Sequence, residues 1–277
     1  EVGYKLSVDK VNLSFLANAS YVKNEIKNLG NQTGYIDKES LPTLGTVSRN
    51  QNGYPIGYFF GYKAIGVFQT QEEIDNYISP ATGKPIQPNA VPGDTKFEDL
   101  NGDGVISDDN EDRTMIGKPN PDWMVGLTVA ADWNGFDLSA FFQGSFGADV
   151  FDALRRYELA AVNYTSDALE RWTGPGTSNS MPRIVLGDTP KNFRPSTLLV
   201  HDASFLRLRN LQVGYTLPAQ LTRKAYIQRL RFYASFDNLL TITGYKGMDP
   251  EIGSTMGIDK GVYPQARVYT FGLNLTF

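Results

Sequence analysis

The sequence predicts an all-β fold: an antiparallel transmembrane β-barrel segment of about seven strands from a larger barrel. Three observations favour it, namely apolar and polar residues that alternate with period two, a regular order of short and long connections, and the composition. The 277 residues include 16 Phe, 15 Tyr and 27 Gly. This composition is typical of strands joined by turn-rich loops and not of a helical bundle.

The alternation is clearest at the end of the chain. From Val268 to Phe277, five large apolar side chains fall on one strand face, and Thr, Gly and Asn residues fall on the other. A transmembrane barrel strand needs only about 9–11 such residues, so the lack of a long apolar run does not exclude a membrane protein. The same pattern predicts strands over residues 2–8, 11–21, 125–133, 136–143, 204–217, 226–240 and 268–277.

The connections between these strands are alternately short and long. Such an order in an antiparallel meander places all long loops at one end, as in outer-membrane barrels with long extracellular loops and short periplasmic turns. A soluble β-sandwich, the alternative, follows no such rule. The short connections are Asp9-Lys10, Asn134-Gly135 and Pro218–Ala225, and the long ones are Asn28–Asp122, Ala148–Ala203 and Thr241–Pro264.

The domain organisation follows from the strand count. Seven strands do not close a bacterial barrel with an even number of strands, so we expect residues 1–277 to be the C-terminal portion of an outer-membrane barrel. The start at Glu1 has neither the basic nor the apolar region of a signal peptide, which agrees with this expectation. Residues 28–122 and 148–203 are expected to be long extracellular loops, and apolar spacing predicts a helix over Asp149–Trp172 in the second.

Composition and charge exclude several function classes. Cysteine is absent and there is one histidine, His201, so disulfide frameworks, thiol catalysis and nearly all multi-histidine metal sites are excluded. The formal net charge of −4 gives no basic footprint for nucleic acid. An enzyme is therefore not expected. A secreted carbohydrate-active enzyme would need a spaced pair of carboxylates in a cleft, whereas acidic residues here cluster in residues 99–112.

That cluster contains the one motif with metal chemistry. Residues 99–106 read D-L-N-G-D-G-V-I, which matches the first eight positions of a calcium-binding loop. Side-chain oxygens of Asp99, Asn101 and Asp103 converge in such a loop, with Gly104 at the sharp turn and the Val105 carbonyl directed inward. The sequence predicts a structural Ca²⁺ site that braces a long loop; the alternative is a plain polar turn.

The residue that would supply the last calcium ligand departs from the usual motif. Position 12 of the loop, where a bidentate Glu is usual, is Asn110. Acidic residues nearby are able to complete the set, and we take Asp112 as the predicted ligand, with Asp109 and Glu111 as the other candidates.

Other polar and aromatic residues leave alternatives open. Arg207 and Arg209 share a strand face that either lines a barrel lumen or is a solvated charged face, and Lys191 and Arg194 resemble a basic patch. His201 is predicted to be an ordinary loop-edge residue, since the adjacent Asp202 points to the opposite face of a strand. The aromatic residues of Tyr54–Phe68 either stack on a sugar or pack a loop, and packing is favoured.

The segments Gly53–Ile74, Gly93–Pro121, Gly135–Gly147, Leu206–Pro218, Arg231–Asp249 and Tyr263–Phe277, the last ending in G-L-N-L-T-F, are considered together. As a set they resemble the SusC/RagA family of TonB-dependent outer-membrane transporters. Each segment alone is weak evidence, but they occur in the family's order and span most of the chain from residue 53 onward. One departure is a stretch between Ile106 and Asp112-Arg113 that is about two residues longer than usual, which affects the final calcium ligand.

The resemblance implies a function and partners. It implies TonB-dependent import of oligosaccharides or oligopeptides across the bacterial outer membrane, with this chain forming the last barrel strands and extracellular loops in contact with outer-membrane lipid. It further implies a SusD-like surface lipoprotein above the loops and a TonB complex that acts through an N-terminal part outside this chain. The alternative is a calcium-braced surface adhesion or binding β-protein without transport.

Overall fold

The computed structural model describes residues 1–108, 111–159, 161–251 and 256–277. Its strands, in chain order, are β1 (Val2–Val8), β2 (Val11–Tyr21), β3 (Tyr35–Asp37), β4 (Ser40–Leu41), β5 (Gly45–Thr46), β6 (Ser48–Gln51), β7 (Tyr58–Tyr62), β8 (Ala64–Val67), β9 (Thr95–Phe97), β10 (Arg113–Gly117), β11 (Trp123–Trp133), β12 (Phe136–Phe146), β13 (Asp149–Asp152), β14 (Val200–Asp202), β15 (Phe205–Thr216), β16 (Arg229–Thr243), β17 (Ile258–Asp259) and β18 (Val268–Thr276). The helices are α1 (Gln71–Asp75) and α2 (Ala219–Thr222), with 3-10 helices at Ser166–Glu170, Leu186–Asp188, Thr197–Leu199 and Arg223–Ala225.

Seven long strands form the main sheet in the order β1-β2-β11-β12-β15-β16-β18, and each pairs antiparallel with the next along the chain. Every neighbour in the sheet is also the next long strand in sequence, so the predicted seven-stranded meander is confirmed. The turn between β11 and β12 shows why register is well defined. Asn134 and Gly135 both have positive φ, 48° and 87°, as a two-residue type I′ hairpin requires.

The two faces of the main sheet differ in chemistry. One face, which we call the apolar face, carries the large apolar side chains of each strand; on β18 these are Tyr269, Phe271, Leu273 and Leu275. The opposite face, which we call the polar face, carries Asn, Ser, Thr, Gln and charged residues, including Asp137, Gln143, Arg207 and Arg231. Apolar outward and polar inward is the arrangement of a barrel wall between lipid and a water-filled lumen.

Aromatic rings border the apolar face at both ends. At the long-loop end Tyr21 packs on Trp123, with ring centroids 4.9 Å apart. At the short-turn end Phe136 lies between Trp133 and Tyr215 at centroid distances of 6.2 and 4.4 Å. The ten residue steps from Trp123 to Trp133, at about 3.4 Å each and a barrel-like tilt of about 40°, span about 25 Å. This is the height expected for the apolar band of a membrane barrel between two aromatic girdles.

The three long loops connect the strands at one end of the sheet and have secondary structure of their own. The first long loop (residues 22–122) contains the sheet β10-β7-β6-β3, the hairpin β4-β5 and the pair β8-β9. The second (147–204) and third (244–267) share the sheet β14-β13-β17, in which β13 and β17 run parallel. Tyr62 of the first loop forms an isolated bridge with Ser196 of the second. The three loops thus form one continuous layer, which we call the loop layer.

The loop layer contains most of the buried apolar residues. One cluster joins all three long loops, since Phe59 comes from the first, Phe151 and Leu199 from the second and Ile258 from the third. Phe59 and Phe151 are completely buried, with ring centroids 5.9 Å apart. The aromatic residues Tyr58, Phe60, Tyr62 and Phe68 are buried as well. The packing interpretation of the Tyr54–Phe68 aromatics is therefore confirmed.

The helix predicted over Asp149–Trp172 is wrong in extent. The segment begins with strand β13, and its described helical residues are a 3-10 turn at Ser166–Glu170. Of the apolar residues whose spacing suggested a helix, Leu154 and Leu169 are exposed, at 37% and 79%. Pairing of Val150 and Phe151 with β14 and of Phe151 with β17 competed successfully with helix formation. No helix among the described residues has the length and apolar character needed to cross a membrane.

Candidate functional site: the polar face and the loops above it

A charged network joins the polar face of the sheet to the third long loop. Arg207 on β15 is 2% exposed and contacts two acids of the third loop: its Nη2 donates to Asp249 Oδ1 at 2.5 Å, and its Nη1 donates to Glu251 Oε2 at 2.9 Å. Its Nε donates to Thr241 Oγ1 at 2.9 Å. With all three nitrogens engaged, Arg207 is not part of a solvated charged face, and it holds the third loop over the sheet.

Arg209 extends this network along the same strand. Its Nη2 donates to Glu251 Oε1, its Nη1 to Asn238 Oδ1 at 3.2 Å, and its Nε to Gln143 Oε1 at 2.7 Å. The β15 pairing shifts register between Leu208 and Asn210, so Arg209 lies in a β-bulge, a device that redirects a side chain. Glu251 is therefore held by two guanidinium groups from one strand.

Asp249 is also ordered by the backbone. Its carboxylate accepts hydrogen bonds from Glu251 N and Gln265 N, each at 2.9 Å. Burial raises the pKa of Asp249, but the backbone hydrogen bonds and Arg207 outweigh this and leave the pKa below its usual value. The ionised form is thus the one that the loop stabilises, and the attachment to Arg207 is an ion pair near neutral pH.

An open cavity of about 360 Å³ lies beside this network, between the polar face and the loop layer. Its lining combines apolar and polar side chains, among them Met124, Gln143, Phe205 and Glu251. Asp149 also lines it, and burial raises the pKa of this carboxyl. A cavity of this size, with a few convergent polar groups, is typical of sites that hold a small organic group.

His201 and Asp202 do not form a pair. On β14, Asp202 accepts a hydrogen bond from Ser204 N at 2.8 Å, whereas His201 Nε2 lies 3.6 Å from Asp152 Oδ2 and 3.4 Å from Arg155 Nη1. Burial raises the pKa of Asp152, but its contacts with His201 and Arg155 more than offset this, so the pKa is lowered overall. Sequence reasoning missed Asp152 as the partner because β13 and β14 lie about fifty residues apart.

The predicted basic patch of Lys191 and Arg194 is not an open cationic surface. Lys191 is paired with Asp108, and the Arg194 guanidinium lies over the rings of Tyr62 and Phe97, at 4.7 and 5.0 Å from their centroids. Both residues therefore connect the second long loop to the first, with Lys191 at the surface and Arg194 against the rings.

The predicted calcium loop is a tight turn in the first long loop. The Asp99 carboxylate accepts hydrogen bonds from Gly102 N at 2.8 Å and Gly104 N at 2.9 Å, and Asp103 Oδ1 accepts from Val105 N at 2.9 Å. Gly104 has φ of +90°, and a Cβ there would lie 2.8 Å from Ser79 Oγ. Only glycine fits this position without strain, as the motif predicts.

The other predicted calcium ligands, Asn101, Asp112 and Val105, differ in their hydrogen bonding and burial. Asn101 Nδ2 lies between two carboxylates and donates to Asp103 Oδ2 at 2.9 Å and Glu111 Oε2 at 3.0 Å. Asp112 is completely buried and accepts from Leu100 N at 3.1 Å and Ser107 N at 2.9 Å, so it closes the base of the loop. Val105 is 56% exposed. Asp109 and Asn110 lie outside the described residues. Within the part of the chain that the structure describes, no group of three or more acidic or histidine side chains has an arrangement that holds a metal ion.

Comparisons with known proteins connect this geometry to a family. No family model matches the chain. The chain is 34% identical over 238 residues to TonB-dependent receptor P3 of Formosa agariphila, covering 82% of this chain and 23% of that receptor. It is 30% identical over 263 residues to TonB-dependent receptor SusC of Bacteroides thetaiotaomicron, covering 94% of this chain and 24% of SusC.

Solved structures of similar proteins support the same assignment. A structure of the RagAB peptide transporter matches 99% of this chain and 28% of its own chain, with a TM-score of 0.74 and 26% sequence identity. The open-open state of the RagAB peptide importer matches 99% of this chain with a TM-score of 0.71 and 27% identity. The chain thus spans about a quarter of the length of these relatives. The seven-stranded sheet is a segment of a TonB-dependent receptor barrel, and the chain belongs to the SusC/RagA family of TonB-dependent receptors.

Proposed function

We propose that this chain supplies barrel wall and extracellular loops to a TonB-dependent importer that takes up oligosaccharides or oligopeptides across the bacterial outer membrane. The observation that carries the proposal is the two-faced main sheet, with an apolar face for lipid and a polar face on which Arg207 and Arg209 hold a loop. The relatives are TonB-dependent receptors. The comparisons do not favour a surface adhesion protein without transport, the alternative from the sequence.

The proposed mechanism needs no covalent chemistry from the described residues. Substrate binds among the long loops and along the polar face, and its release to the periplasm depends on energy supplied through TonB. In this proposal a SusD-like surface lipoprotein covers the loop layer from outside. The cavity beside Glu251 and Phe205 then lies on the path between the loop layer and the lumen.

Uptake by intact cells tests this function. Cells that produce the protein are given fluorescently labelled oligosaccharides and oligopeptides, with and without an uncoupler that removes the proton motive force. The proposal predicts energy-dependent entry of at least one of the two classes, lost when TonB is deleted. Surface binding without entry in any condition would contradict import and support the adhesion alternative.

We also propose that Asp99, Asn101, Asp103, the Val105 carbonyl and Asp112 form a structural Ca²⁺ site in the first long loop. Hard oxygen ligands at this spacing suit Ca²⁺. The position of the Asn101 amide nitrogen supports the proposal, because it lies between the carboxylates of Asp103 and Glu111 where a cation would balance both charges. Glu111 is thereby a further candidate ligand. Bound Ca²⁺ would neutralise these acids and hold the loop rigid.

Calorimetry with Ca²⁺ on chelator-treated protein tests the site. We expect binding to the unmodified protein and at least tenfold weaker binding to Asp103→Asn. Asp75→Asn, which removes an acidic residue from α1 in the same long loop, is the matched control and should bind normally. Equal affinity for all three proteins, or no binding at all, would show that residues 99–112 form only a polar turn.

A further inference from the structure

A second cavity, of about 370 Å³, lies within the loop layer between the first and second long loops. It is separate from the cavity on the polar face, since the two share no lining residue. Three cationic and three acidic side chains line it, so its formal charge is balanced. Such a cavity suits a ligand of zero net charge that presents both signs.

The acidic side of this cavity has an acceptor that the protein leaves unused. The Glu158 side chain is 7% exposed. Its Oε1 accepts hydrogen bonds from Arg156 Nε and, at 3.1 Å, from Thr43 Oγ1, whereas its Oε2 is buried and has no hydrogen-bond partner in the described structure. A buried carboxylate oxygen without a donor is energetically costly, because it has lost its water and gained no hydrogen bond in return. A ligand that supplies a donor there would remove this cost.

Asp188 adds negative potential on the same side. Burial raises the pKa of Asp188 to about 6, and the nearby Glu158 carboxylate contributes to the rise. Both Asp188 oxygens already accept backbone hydrogen bonds, from Asn192 N at 2.9 Å and Phe193 N at 2.8 Å. Glu158 and Asp188 thus place two acidic groups in the lining of one cavity, where a positive group would be favoured.

The cationic side presents a buried donor that takes part in an ion pair but makes no hydrogen bond. Arg194 Nε donates to Lys191 O at 3.2 Å, and the guanidinium is held against Tyr62 and Phe97. Its Nη1 is buried and makes no hydrogen bond among the described residues, although it lies 3.7 Å from Asp108 Oδ1. A ligand carboxylate next to Nη1 would complete the hydrogen bonding of the Arg194 guanidinium, through one or two hydrogen bonds.

We propose that this cavity binds a zwitterionic ligand, a free amino acid or short peptide, with its ammonium group at Glu158 and its carboxylate at Arg194. The site is distinct from the barrel lumen, and binding there needs neither energy coupling nor a partner protein. It would favour peptides among the proposed substrates, and to that extent the inference rests on the proposed function.

Calorimetry with glycylglycine tests the inference on protein extracted from membranes in detergent. The comparison probes are N-acetylglycylglycine amide, which lacks both charges, and maltose. We expect glycylglycine alone to bind, with at least tenfold weaker binding to Glu158→Gln and to Arg194→Met. Glu170→Gln, a matched change at an exposed acid outside this cavity, should leave the affinity unchanged. Hydrogen exchange of residues 154–195 in each variant verifies that the loops remain folded.

Several outcomes would overturn the inference: no binding of glycylglycine, equal binding of the blocked peptide or maltose, or unchanged affinity in folded Glu158→Gln. The assay contains no TonB and no membrane gradient, so its result does not depend on transport. Conversely, a protein that binds glycylglycine but imports nothing would refute the proposed function and leave this site intact.

Discussion

Phenylalanine has opposite surroundings in the two regions of this molecule. In the main sheet Phe271 and Phe277 are each 75% exposed, whereas in the loop layer Phe59 and Phe151 are completely buried. The loop layer is stabilised as a soluble protein is, because its apolar residues are removed from water by other parts of the chain. The sheet instead relies on strand hydrogen bonds and on lipid around its apolar face. The two regions therefore depend on different surroundings, protein interior for the loop layer and lipid for the main sheet. A substitution should destabilise one region without destabilising the other.

The largest expected effect comes from removing the centre of the loop core. Phe59→Ala should destabilise the loop layer by about 3–5 kcal/mol, the usual cost of deleting a buried aromatic side chain. Hydrogen exchange should increase in all three long loops, since all three contribute to the cluster around Phe59, while heat-modifiability of the barrel on gels stays unchanged. Tyr263→Ala, at a position that is 88% exposed, is the control. Loss of the barrel in Phe59→Ala would show that the two regions are not separable.

The second-largest effect is expected from breaking the contact between the main sheet and the loop layer. Arg207→Met removes the guanidinium that pairs with Asp249 and Glu251 and leaves the largely buried Asp249 carboxylate without its cationic partner. We expect a cost of about 3 kcal/mol, the lower end for breaking a buried ion pair, because Glu251 is 33% exposed and keeps Arg209. Protease should then cut the third long loop faster.

Arg223→Met, an exposed arginine in the short connection after β15, is the matched control for Arg207→Met. Equal cleavage rates in the two variants would mean that Arg207 does not hold the third loop.

A charge on the apolar face should affect the sheet alone. Leu127→Arg places a cation near the middle of the proposed membrane band and should cost about 2–4 kcal/mol. Thr128→Arg, one residue further on β11 and on the polar face, should be tolerated much better. Urea titration of the protein refolded into phospholipid vesicles measures both. Similar costs for the two variants would contradict the assignment of the faces.

The smallest effect should be a pH dependence in one turn of the loop layer. The pKa of Asp188 is raised from 3.8 to about 6 in the folded protein, so the fold favours the protonated form. Its contribution to stability is therefore fully present below about pH 3.8 and is lost as the pH rises through 6. Hydrogen exchange of residues 186–194, corrected for intrinsic rates, should show falling protection between about pH 4 and 7. Asp188→Asn should abolish this slope; a slope that persists would assign it to another group.

The sheet and the loop layer also differ in how well the sequence predicted them. The strands were predictable because a period-two pattern is local: each residue of 268–277 reports its own face, and Asn134-Gly135 specifies its turn. The loop core was not predictable, since Phe59, Phe151 and Ile258 are brought together from three loops and no local pattern records that contact. The helix predicted over Asp149–Trp172 failed for the same reason, because strand pairing across loops decided the conformation.

The candidate site was predicted in part. The shared face of Arg207 and Arg209 was visible in the sequence, but their acidic partners, Asp249 and Glu251, lie more than forty residues away in the third long loop. The calcium-like turn around Asp99 and Gly104 has the conformation that its motif predicts. Its metal occupancy remains a prediction.

Cysteine accessibility tests the central claim, that the two faces of the main sheet meet lipid and water, most directly. The chain contains no cysteine, so single substitutions report one position each. Leu127→Cys, Thr128→Cys, Leu273→Cys and Asn274→Cys are each placed in membranes and treated with a charged maleimide. The account predicts labelling at positions 128 and 274 and protection at 127 and 273. Equal labelling at all four positions, or the reverse pattern, would contradict it.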